Sequence, residues 1–234
     1  MTPKLSTDDR KVRVGARRQA AGALGVSPGS ARLSKGEQTR QAIISHAVSI
    51  VGQVGYEGLS IGSLAEKTKL SKSGLFAHFK SKEALQLGVM QEVINRYIQR
   101  VVQPALAAPR GEARLRVLFD KKLQWISGEQ ESRGCLLQKA SLEYHNRPGH
   151  AVRARLVQAL QDWREVLVRS ATAAIEAGHF RAELDAEQFA YEFDGITMMF
   201  QQAHGLLRDR GAEQRANDAF ESLLERSRRS QRQR

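Results

Sequence analysis

Apolar residues along this chain recur at intervals of three and four, which is the spacing of one face of an α-helix. An early run comprises Ile44, Ala47, Val48 and Val51, and Ser81 precedes a second run of Leu85, Val89 and Val93. Later runs lie around Trp125, from Leu136 to Tyr144, from Val152 to Ile175, from Phe189 to His204 and from Phe220 to Leu224. No segment has the alternation of a strand, so the pattern predicts an all-α protein with about nine helices.

Between the first two runs, the pattern predicts two short helices separated by a tight break. Ser60 is placed to cap one helix running through Lys67, and Ser71 is placed to cap the next, which runs through Phe79. Lys69-Leu70-Ser71 forms the break. A helix followed by two short helices across such a break is the layout of a helix-turn-helix unit. The small polar turn Ser71-Lys72-Ser73-Gly74 allows close approach to a groove, and free N–H groups at a helix start favour phosphate.

Charge and composition narrow the class of protein. The chain has 234 residues, a hydrophobic fraction of 41% and a net charge of +12. Enough apolar residues are present for a core, no stretch approaches the ~18 apolar residues of a membrane span, and no signal peptide follows the basic start. The one cysteine, Cys135, excludes an internal disulfide framework and a cysteine-based zinc finger. We expect a cytoplasmic protein with no membrane association.

The excess positive charge lies at the two ends of the chain. Residues 1–36 carry a net charge of +6 and the last ten residues +4, whereas residues 84–224 are neutral. Residues 1–34 show no apolar period and are expected to form a flexible basic arm. Three interpretations of this arm stay open: a solvated tail or misassigned start, a segment that contacts nucleic acid, and an organellar transit peptide.

Many residues of the helix-turn-helix region match a known family without gaps. They are Thr39-Arg40, Ala47, Gly55-Tyr56-Glu57-Gly58, Ser60-Ile61, Leu64-Ala65, Ser71-Lys72, Leu75-Phe76, His78-Phe79 and Ser81-Lys82-Glu83-Ala84-Leu85. This pattern resembles the N-terminal domain of TetR-family transcriptional regulators. The resemblance implies a DNA-binding domain over 35–97 and a helical effector-binding and dimerisation domain over 98–227. Composition and charge add the basic arm over 1–34 and a basic tail over 228–234.

The resemblance also implies which residues meet double-stranded DNA. Lys72, Ser73 and Gly74 would approach the major groove, with Ser71 beside them. Phe76 is a further candidate for DNA contact, but Phe76 and Phe79 are expected to lie in the core; the alternative for Phe76 is that its edge meets a thymine methyl. Ser60, His78 and Lys82 would contact phosphates, and Thr39 and Arg40 would lie near the backbone or an adjacent minor groove. Three positions depart from the family pattern: Lys69 stands where glycine is common, Gly74 where threonine is common, and Phe76 where tyrosine is usual. A non-glycine residue at position 69 is expected in a left-handed conformation.

The body of the chain suggests an effector site but no catalytic one. Six residues are expected to line an apolar effector cavity: Trp125, Tyr144, Trp163, Met198, Met199 and Phe200. Glu143, His145 and His150 are not expected to bind a metal, because a turn separates the two histidines and no fourth ligand is evident. Cys135 is expected to be a small buried thiol. No cofactor motif or catalytic constellation is present, so an enzyme is disfavoured.

The sequence therefore predicts a homodimeric repressor that a small-molecule effector releases from a palindromic operator. Dimerisation is assigned to helices at about 186–209 and 213–227, since Phe193, Met199, Phe200 and Leu223 lie on stripes too apolar for a monomer surface. The alternative is a DNA-binding protein of the same fold without an effector, such as a nucleoid or division factor. An enzyme is the third possibility.

Overall fold

The computed structural model describes residues 34–128 and 134–228. Ten α-helices occupy these ranges: α1 Lys35–Gly58, α2 Ile61–Thr68, α3 Lys72–His78, α4 Lys82–Tyr97, α5 Gln103–Ala107, α6 Glu112–Ser127, α7 Leu136–Tyr144, α8 Ala151–Glu176, α9 Ala186–Gln201 and α10 Ala212–Ser227. No strand occurs among the described residues, although an isolated bridge pairs Phe180 with Arg228. The all-α prediction is confirmed. The predicted arm, apart from Ser34, and the tail beyond Arg228 lie outside the described residues.

We call helices α1–α3 the head; α1 packs along α4, α2 packs on α1, and α3 packs on α2. The first predicted apolar run is buried in α1, and the run of Leu85, Val89 and Val93 is buried in α4. Leu64 of α2 and Leu75 of α3 are fully buried between them. The periodicity therefore predicted which faces of α1 and α4 enter this core.

A single long helical segment connects the head to the rest of the chain. Helix α4 continues through a π-helical turn, Ile98–Val102, directly into α5. Proline has no N–H and clashes with the carbonyl four residues earlier in a regular α-helix. The π turn, in which the Gln103 N–H donates to the Ile98 carbonyl, accommodates Pro104 at the start of α5. The boundary expected near residue 97 thus falls within continuous helix.

Helices α6–α10, which we call the body, meet through aromatic rings. Phe119 of α6 stacks on Phe220 of α10 with ring centroids 4.0 Å apart, and both rings meet the edge of Phe193 of α9 at 5.5 and 5.6 Å. Phe200 and Leu223 are buried as well. The assignment of Phe193, Phe200 and Leu223 to a dimer surface is therefore wrong, because they fill the core of their own chain. Helix α10 matches the helix expected at about 213–227.

Within the described residues, no helix combines the length and the apolar character that crossing a bilayer requires.

Candidate nucleic-acid interface

Serine side chains begin each of the three helices that follow α1. The Ser60 hydroxyl accepts from the Ser63 N–H at 3.0 Å, and the Ser63 hydroxyl in turn accepts from the Ser60 N–H at 3.2 Å. Ser71 caps α3 by accepting from the Gly74 N–H, and Ser81 caps α4 by accepting from the Ala84 N–H, both at 3.0 Å. These caps satisfy N–H groups that have no partner within the helix. The helix starts predicted from the sequence are confirmed.

The turn between α2 and α3 depends on one strained residue. Lys69 has φ of 57° and ψ of 21°, the left-handed conformation that glycine adopts without cost. For other residues this conformation costs roughly 1–2 kcal/mol. The expectation for position 69 is confirmed. The turn directs Leu75 and Phe79 into the core and leaves the opposite face of α3 exposed.

The exposed face of α3 consists of Lys72, Ser73, Phe76 and Ala77. The interval of four residues stacks Phe76 above Lys72, and Ala77 above Ser73. Gly74 is half-buried beside the Ser71 cap, and His78 is half-buried at the end of the helix. Lys72 and Ser73 are exposed as expected, whereas the expectation that Phe76 lies in the core is wrong, because Leu75 and Phe79 occupy the buried side of α3. Sequence reasoning missed Ala77, which the four-residue interval from Ser73 would have indicated.

The chain around α3 carries only positive formal charges. Residues 69–82 contain Lys69, Lys72, Lys80 and Lys82 and no acidic residue. All four lysines are exposed. Lys69 and Lys80 were not among the predicted site residues. A cationic surface of this kind favours a polyanionic partner.

The other predicted contact residues already make interactions within the chain. The Thr39 hydroxyl donates to the Lys35 carbonyl at 3.0 Å, and the Arg40 guanidinium lies over the Phe79 ring at 5.0 Å. The Lys82 ammonium donates to the Glu57 carbonyl at 2.8 Å and lies 3.6 Å from the Glu57 carboxylate. The Arg40 charge therefore lies at the surface of the head, whereas the Lys82 ammonium is already bonded to Glu57 at the end of α1.

A carboxylate from the body completes the end of α1. Gly55, with φ of 77°, breaks the helix, and Glu143 of α7 accepts from the N–H groups of Tyr56 at 3.2 Å and Glu57 at 2.9 Å. A Cβ atom at position 55 would lie 2.7 Å from the Glu143 carboxylate, so this approach requires glycine. Lys139, one turn earlier in α7, donates to the Gly52 carbonyl at 3.1 Å. Helix α7 is thus fastened to the head at two points.

Charges around this junction reinforce it. Burial opposes ionisation of Glu57, but the hydrogen bond from Arg147 and the charge of Lys82 lower the pKa of the Glu57 carboxyl overall. The buried Tyr144 ring meets the Tyr56 ring edge-on at 6.0 Å, and burial raises the pKa of the Tyr144 phenol. Tyr144 therefore belongs to the junction between head and body.

The six residues predicted to line one effector cavity lie in different parts of the structure. Trp125 and Trp163 both pack edge-on against Tyr97, with centroids 5.5 and 5.2 Å from it. Phe200 is buried against the ring of His204, whereas Met198 and Met199 are each 53% exposed. The structure brings Trp125 and Trp163 together and does not bring the two methionines to them. Tyr97 was missed because it lies on α4, outside the segments expected to form the cavity.

Polar groups border this aromatic cluster. Asp194 accepts from the Trp163 indole N–H at 2.9 Å and from the Lys122 ammonium at 2.6 Å, and that ammonium lies 4.7 Å from the Trp163 ring centroid. The Trp125 indole N–H is buried without a hydrogen-bond partner among the described residues. An unpaired buried donor is costly, so an acceptor from a bound molecule would be favoured there.

The residues considered for metal binding or reactivity serve the structure of the chain itself. Glu143 accepts from the end of α1, and His150 caps α8 by accepting from the Val152 N–H at 3.2 Å. No group of three or more His, Cys, Asp or Glu side chains is arranged for a metal ion in the described ranges. Cys135 is buried, as expected.

Comparisons with known proteins agree with this geometry. A family model of bacterial regulatory proteins of the tetR family matches residues 43–89, and a model of the tetracyclin repressor-like C-terminal domain matches residues 111–220. The HTH-type transcriptional repressor DhaR of Mycobacterium sp. (strain GP1) is 24% identical over 64% of this chain and 74% of its own length.

Solved structures share the fold. A TetR-family transcriptional regulator from Cytophaga hutchinsonii superposes with a TM-score of 0.74 at 20% identity, covering 86% of this chain and all of that one. The regulator FadR from Bacillus subtilis, solved with stearoyl-CoA, superposes with a TM-score of 0.65 at 17% identity, covering 80% of this chain and 98% of that one.

A helix-turn-helix with an exposed basic second helix, joined to an all-helical body, defines a DNA-binding transcriptional regulator. The two family models together match more than half of the chain. The chain belongs to the TetR family, a class of DNA-binding regulators and not of enzymes.

Proposed function

We propose that this protein is a homodimeric repressor that binds a palindromic operator and leaves it when a small molecule occupies the body. The observation that carries the proposal is the exposed face of α3, set among four lysines without an acidic residue between positions 69 and 82. Each subunit would insert α3 into a major groove, as the second helix of a helix-turn-helix does. Acting on chromosomal DNA, the protein would work in the cytoplasm.

Within this proposal the contact residues have separate tasks. Lys72 and Ser73 would reach base edges, and Gly74 would allow the backbone to come close. Ser60, His78 and Lys82 would meet phosphates, with Thr39 and Arg40 beside the backbone or the neighbouring minor groove. Lys82 would then divide its three N–H donors between a phosphate and the Glu57 carbonyl.

Selection of binding sites from random duplexes tests the function directly. The full-length protein should enrich a sequence with two-fold symmetry, because a dimer of helix-turn-helix units reads two half-sites. Gel-shift titration should then separate this duplex from a scrambled one. Enrichment of no common sequence would contradict the proposal.

The proposed dimer surface lies on α9 and the π turn that follows it. Large apolar side chains there are exposed in the single chain, and they are Tyr191, Met198, Met199, Leu206 and Leu207. A group of apolar side chains on one segment is typical of an association surface. Of the residues assigned to the dimer surface from the sequence, only Met199 belongs to this group.

Light scattering tests the dimer. The protein should have twice the chain mass of 26.1 kDa, and the double variant Met198→Glu, Leu206→Glu should shift it toward the monomer. Leu142→Glu is the matched control, because Leu142 is exposed on α7 outside this surface. A wild-type mass of a single chain at micromolar concentration would exclude the dimer.

The aromatic cluster of Tyr97, Trp125 and Trp163 is the proposed effector site. Its rings suit an apolar ligand, and the unpaired Trp125 indole N–H suits a ligand with a carbonyl acceptor. An acyl thioester combines both features, and the Bacillus subtilis FadR structure holds stearoyl-CoA. We therefore propose an acyl thioester or a related apolar carbonyl compound.

Titration with stearoyl-CoA should change tryptophan fluorescence and lower operator affinity, while free coenzyme A should do neither. Trp125→Phe should weaken the response, because phenylalanine keeps an aromatic ring but lacks the donor. A protein that binds its operator but whose affinity responds to no acyl thioester would instead favour the regulator without an effector.

The basic segment 1–34 is proposed to follow DNA phosphates. Each neutralised phosphate steepens the fall of log affinity with log salt by ~0.9. If three arm charges engage per subunit, a dimer lacking residues 1–34 should lose roughly five units of slope with little change in preferred sequence. Equal slopes with and without the segment would identify it as a solvated tail.

A further inference from the structure

We infer that α3 selects its operator through thymine methyl groups, which Phe76 and Ala77 contact in the major groove. This inference rests on the proposed function, since it concerns how the same helix distinguishes one sequence from another. The bases in the central part of the half-site would then be recognised by apolar contacts and not by hydrogen bonds.

The exposure of Phe76 separates it from the other phenylalanines. Its side chain is 50% exposed, whereas each of the other seven phenylalanines is at most 3% exposed. Phe76 is not alone, because the Ala77 methyl is exposed beside it on the same face. Two adjacent apolar groups therefore occupy the middle of the surface that would face the bases.

The hydrogen-bonding groups on this face are few. Among exposed residues of α3, the Lys72 ammonium and the Ser73 hydroxyl can reach base edges, and the Ser73 hydroxyl is 3.1 Å from the Ser71 hydroxyl. No arginine, asparagine or glutamine occurs in α3, so the bidentate contacts by which those side chains select guanine or adenine are absent from its sequence. Phenylalanine and alanine side chains are instead suited to the C5 methyl group of thymine.

The charge around the pair identifies the partner. Lys69, Lys72 and Lys80 surround Phe76 and Ala77 in sequence, and all three are exposed. An apolar protein partner would have to remove water from these lysines without offering them a counter-charge. A second copy of this basic segment would repel them. A DNA groove offers phosphates to the lysines and a methyl group to the apolar pair at once.

The spacing along α3 locates the thymine. Phe76 lies one helical turn beyond Lys72, about 5.4 Å along the axis. At about 3.4 Å per base pair, this interval corresponds to about one to two base pairs. The thymine should therefore be close to the base that Lys72 contacts, and it should recur at the symmetric position of the other half-site.

Replacement of thymine by deoxyuridine in the selected operator tests the inference, because it removes the C5 methyl and leaves base pairing intact. Substitution at this position in one half-site should reduce the affinity about fourfold, as expected for burial of one methyl group. Substitution in both half-sites should reduce it about fifteenfold. Deoxyuridine at the other thymines should have little effect and serves as the internal control.

The variant Phe76→Ala connects this effect to the protein. It should bind the thymine operator more weakly than the wild type and should distinguish thymine from deoxyuridine much less at the sensitive position. Ala77→Ser, which adds a hydroxyl with little change in size, should reduce the distinction in part. Circular dichroism should show unchanged folding, since both side chains are exposed.

The possible failures are distinguishable. If no sequence is selected at all, the proposed function fails. If a specific operator is bound but deoxyuridine is tolerated at every position, thymine readout is wrong while the function stands. A deoxyuridine effect that persists unchanged in Phe76→Ala would also overturn the inference, because the methyl would then be sensed elsewhere.

Discussion

The head and the body stabilise their helices in different ways. In the head, short helices begin at serines that cap their own first turn, and the Glu143 carboxylate of α7 adds long-range support. In the body, Phe119 of α6 meets Phe193 of α9 and Phe220 of α10 in one cluster, although α6 is far from α9 and α10 in sequence. Local hydrogen bonds thus position the surface proposed to meet DNA, whereas long-range apolar packing holds the helices of the body together.

This difference has a functional consequence. A short helix such as α3 can expose much of its surface, because its cap and two buried side chains, Leu75 and Phe79 just beyond its end, are enough to hold it. The head nevertheless depends on the body, since two of its N–H groups are satisfied by Glu143. Movement of α7 would therefore act on the head at Tyr56 and Glu57.

Phe119→Ala should destabilise the protein most, by about 3–5 kcal/mol, because it removes a buried ring that stacks on Phe220. The free energy of unfolding in urea measures this. The control is Phe76→Ala, whose exposed ring should matter by no more than about 0.5 kcal/mol. Similar losses of stability for the two variants would contradict the contrast between packed body and exposed head.

The double variant Lys72→Ala, Ser73→Ala should have the opposite effect: weaker DNA binding with unchanged stability. Removal of each base contact should weaken operator binding by on the order of 1–3 kcal/mol, while unfolding should be unchanged because both residues are exposed. Gel-shift titration provides the affinity. The assignment of α3 as the reading helix would not survive an unchanged affinity.

Glu143→Ala should affect both regions. It leaves the Tyr56 and Glu57 N–H groups without their acceptor, at a cost of about 1–3 kcal/mol. Glu143→Gln keeps one oxygen acceptor and should recover part of the stability. Urea unfolding and operator affinity should both decline in Glu143→Ala, and wild-type values for both would show that the junction is dispensable.

Lys69→Gly should stabilise the protein by about 0.5–1 kcal/mol, since glycine adopts the left-handed turn without strain although it costs more backbone entropy on folding. It should also weaken DNA binding because it removes one positive charge. Lys69→Ala is the matched control, because it removes the same charge but keeps the strain. Equal thermal midpoints for the two variants would argue against strain at this turn.

Acid should weaken the contact between α6 and the end of α10 by a small amount. Hydrogen bonds from Arg228 and then Arg116 lower the pKa of Glu112, and those from Arg116 lower the pKa of Glu221. A carboxyl whose pKa is lower in the folded state stabilises fully above its unfolded pKa of about 4.3 and loses that contribution as the pH falls through its folded value. The thermal midpoints of wild type and Glu112→Gln should therefore converge between about pH 6 and about pH 3. A constant difference would exclude this ion pairing as the source.

Much of the head could be predicted from the sequence because its signals are local. Ser60, Ser71 and Ser81 stand directly before helices that they cap, and the left-handed Lys69 lies in a three-residue break. The same locality identified Lys72, Ser73 and Phe76 as members of the second short helix. Ala77 was not predicted, because alanine is as common on the buried face of a helix as on the exposed face.

The body was predicted less completely. Periodicity located its helices, but it did not distinguish an apolar face buried in the same chain from one exposed for a partner. Phe193, Phe200 and Leu223 were therefore assigned to a dimer surface, while Tyr191 and Leu206, which are exposed, were overlooked. Tyr97 joined Trp125 and Trp163 only because α4 passes beside α6 and α8 in three dimensions.

The sequence by itself determined the all-α class, the helix starts and the basic, small-residue surface of α3, because capping, periodicity and charge act over a few residues. The tertiary structure decided which apolar faces are internal, which aromatic rings form a cluster, and that Glu143 holds the end of α1. These outcomes depend on contacts between residues as far apart as Tyr56 and Glu143. No local pattern specifies such contacts, since they follow from how all of the helices fill the same volume.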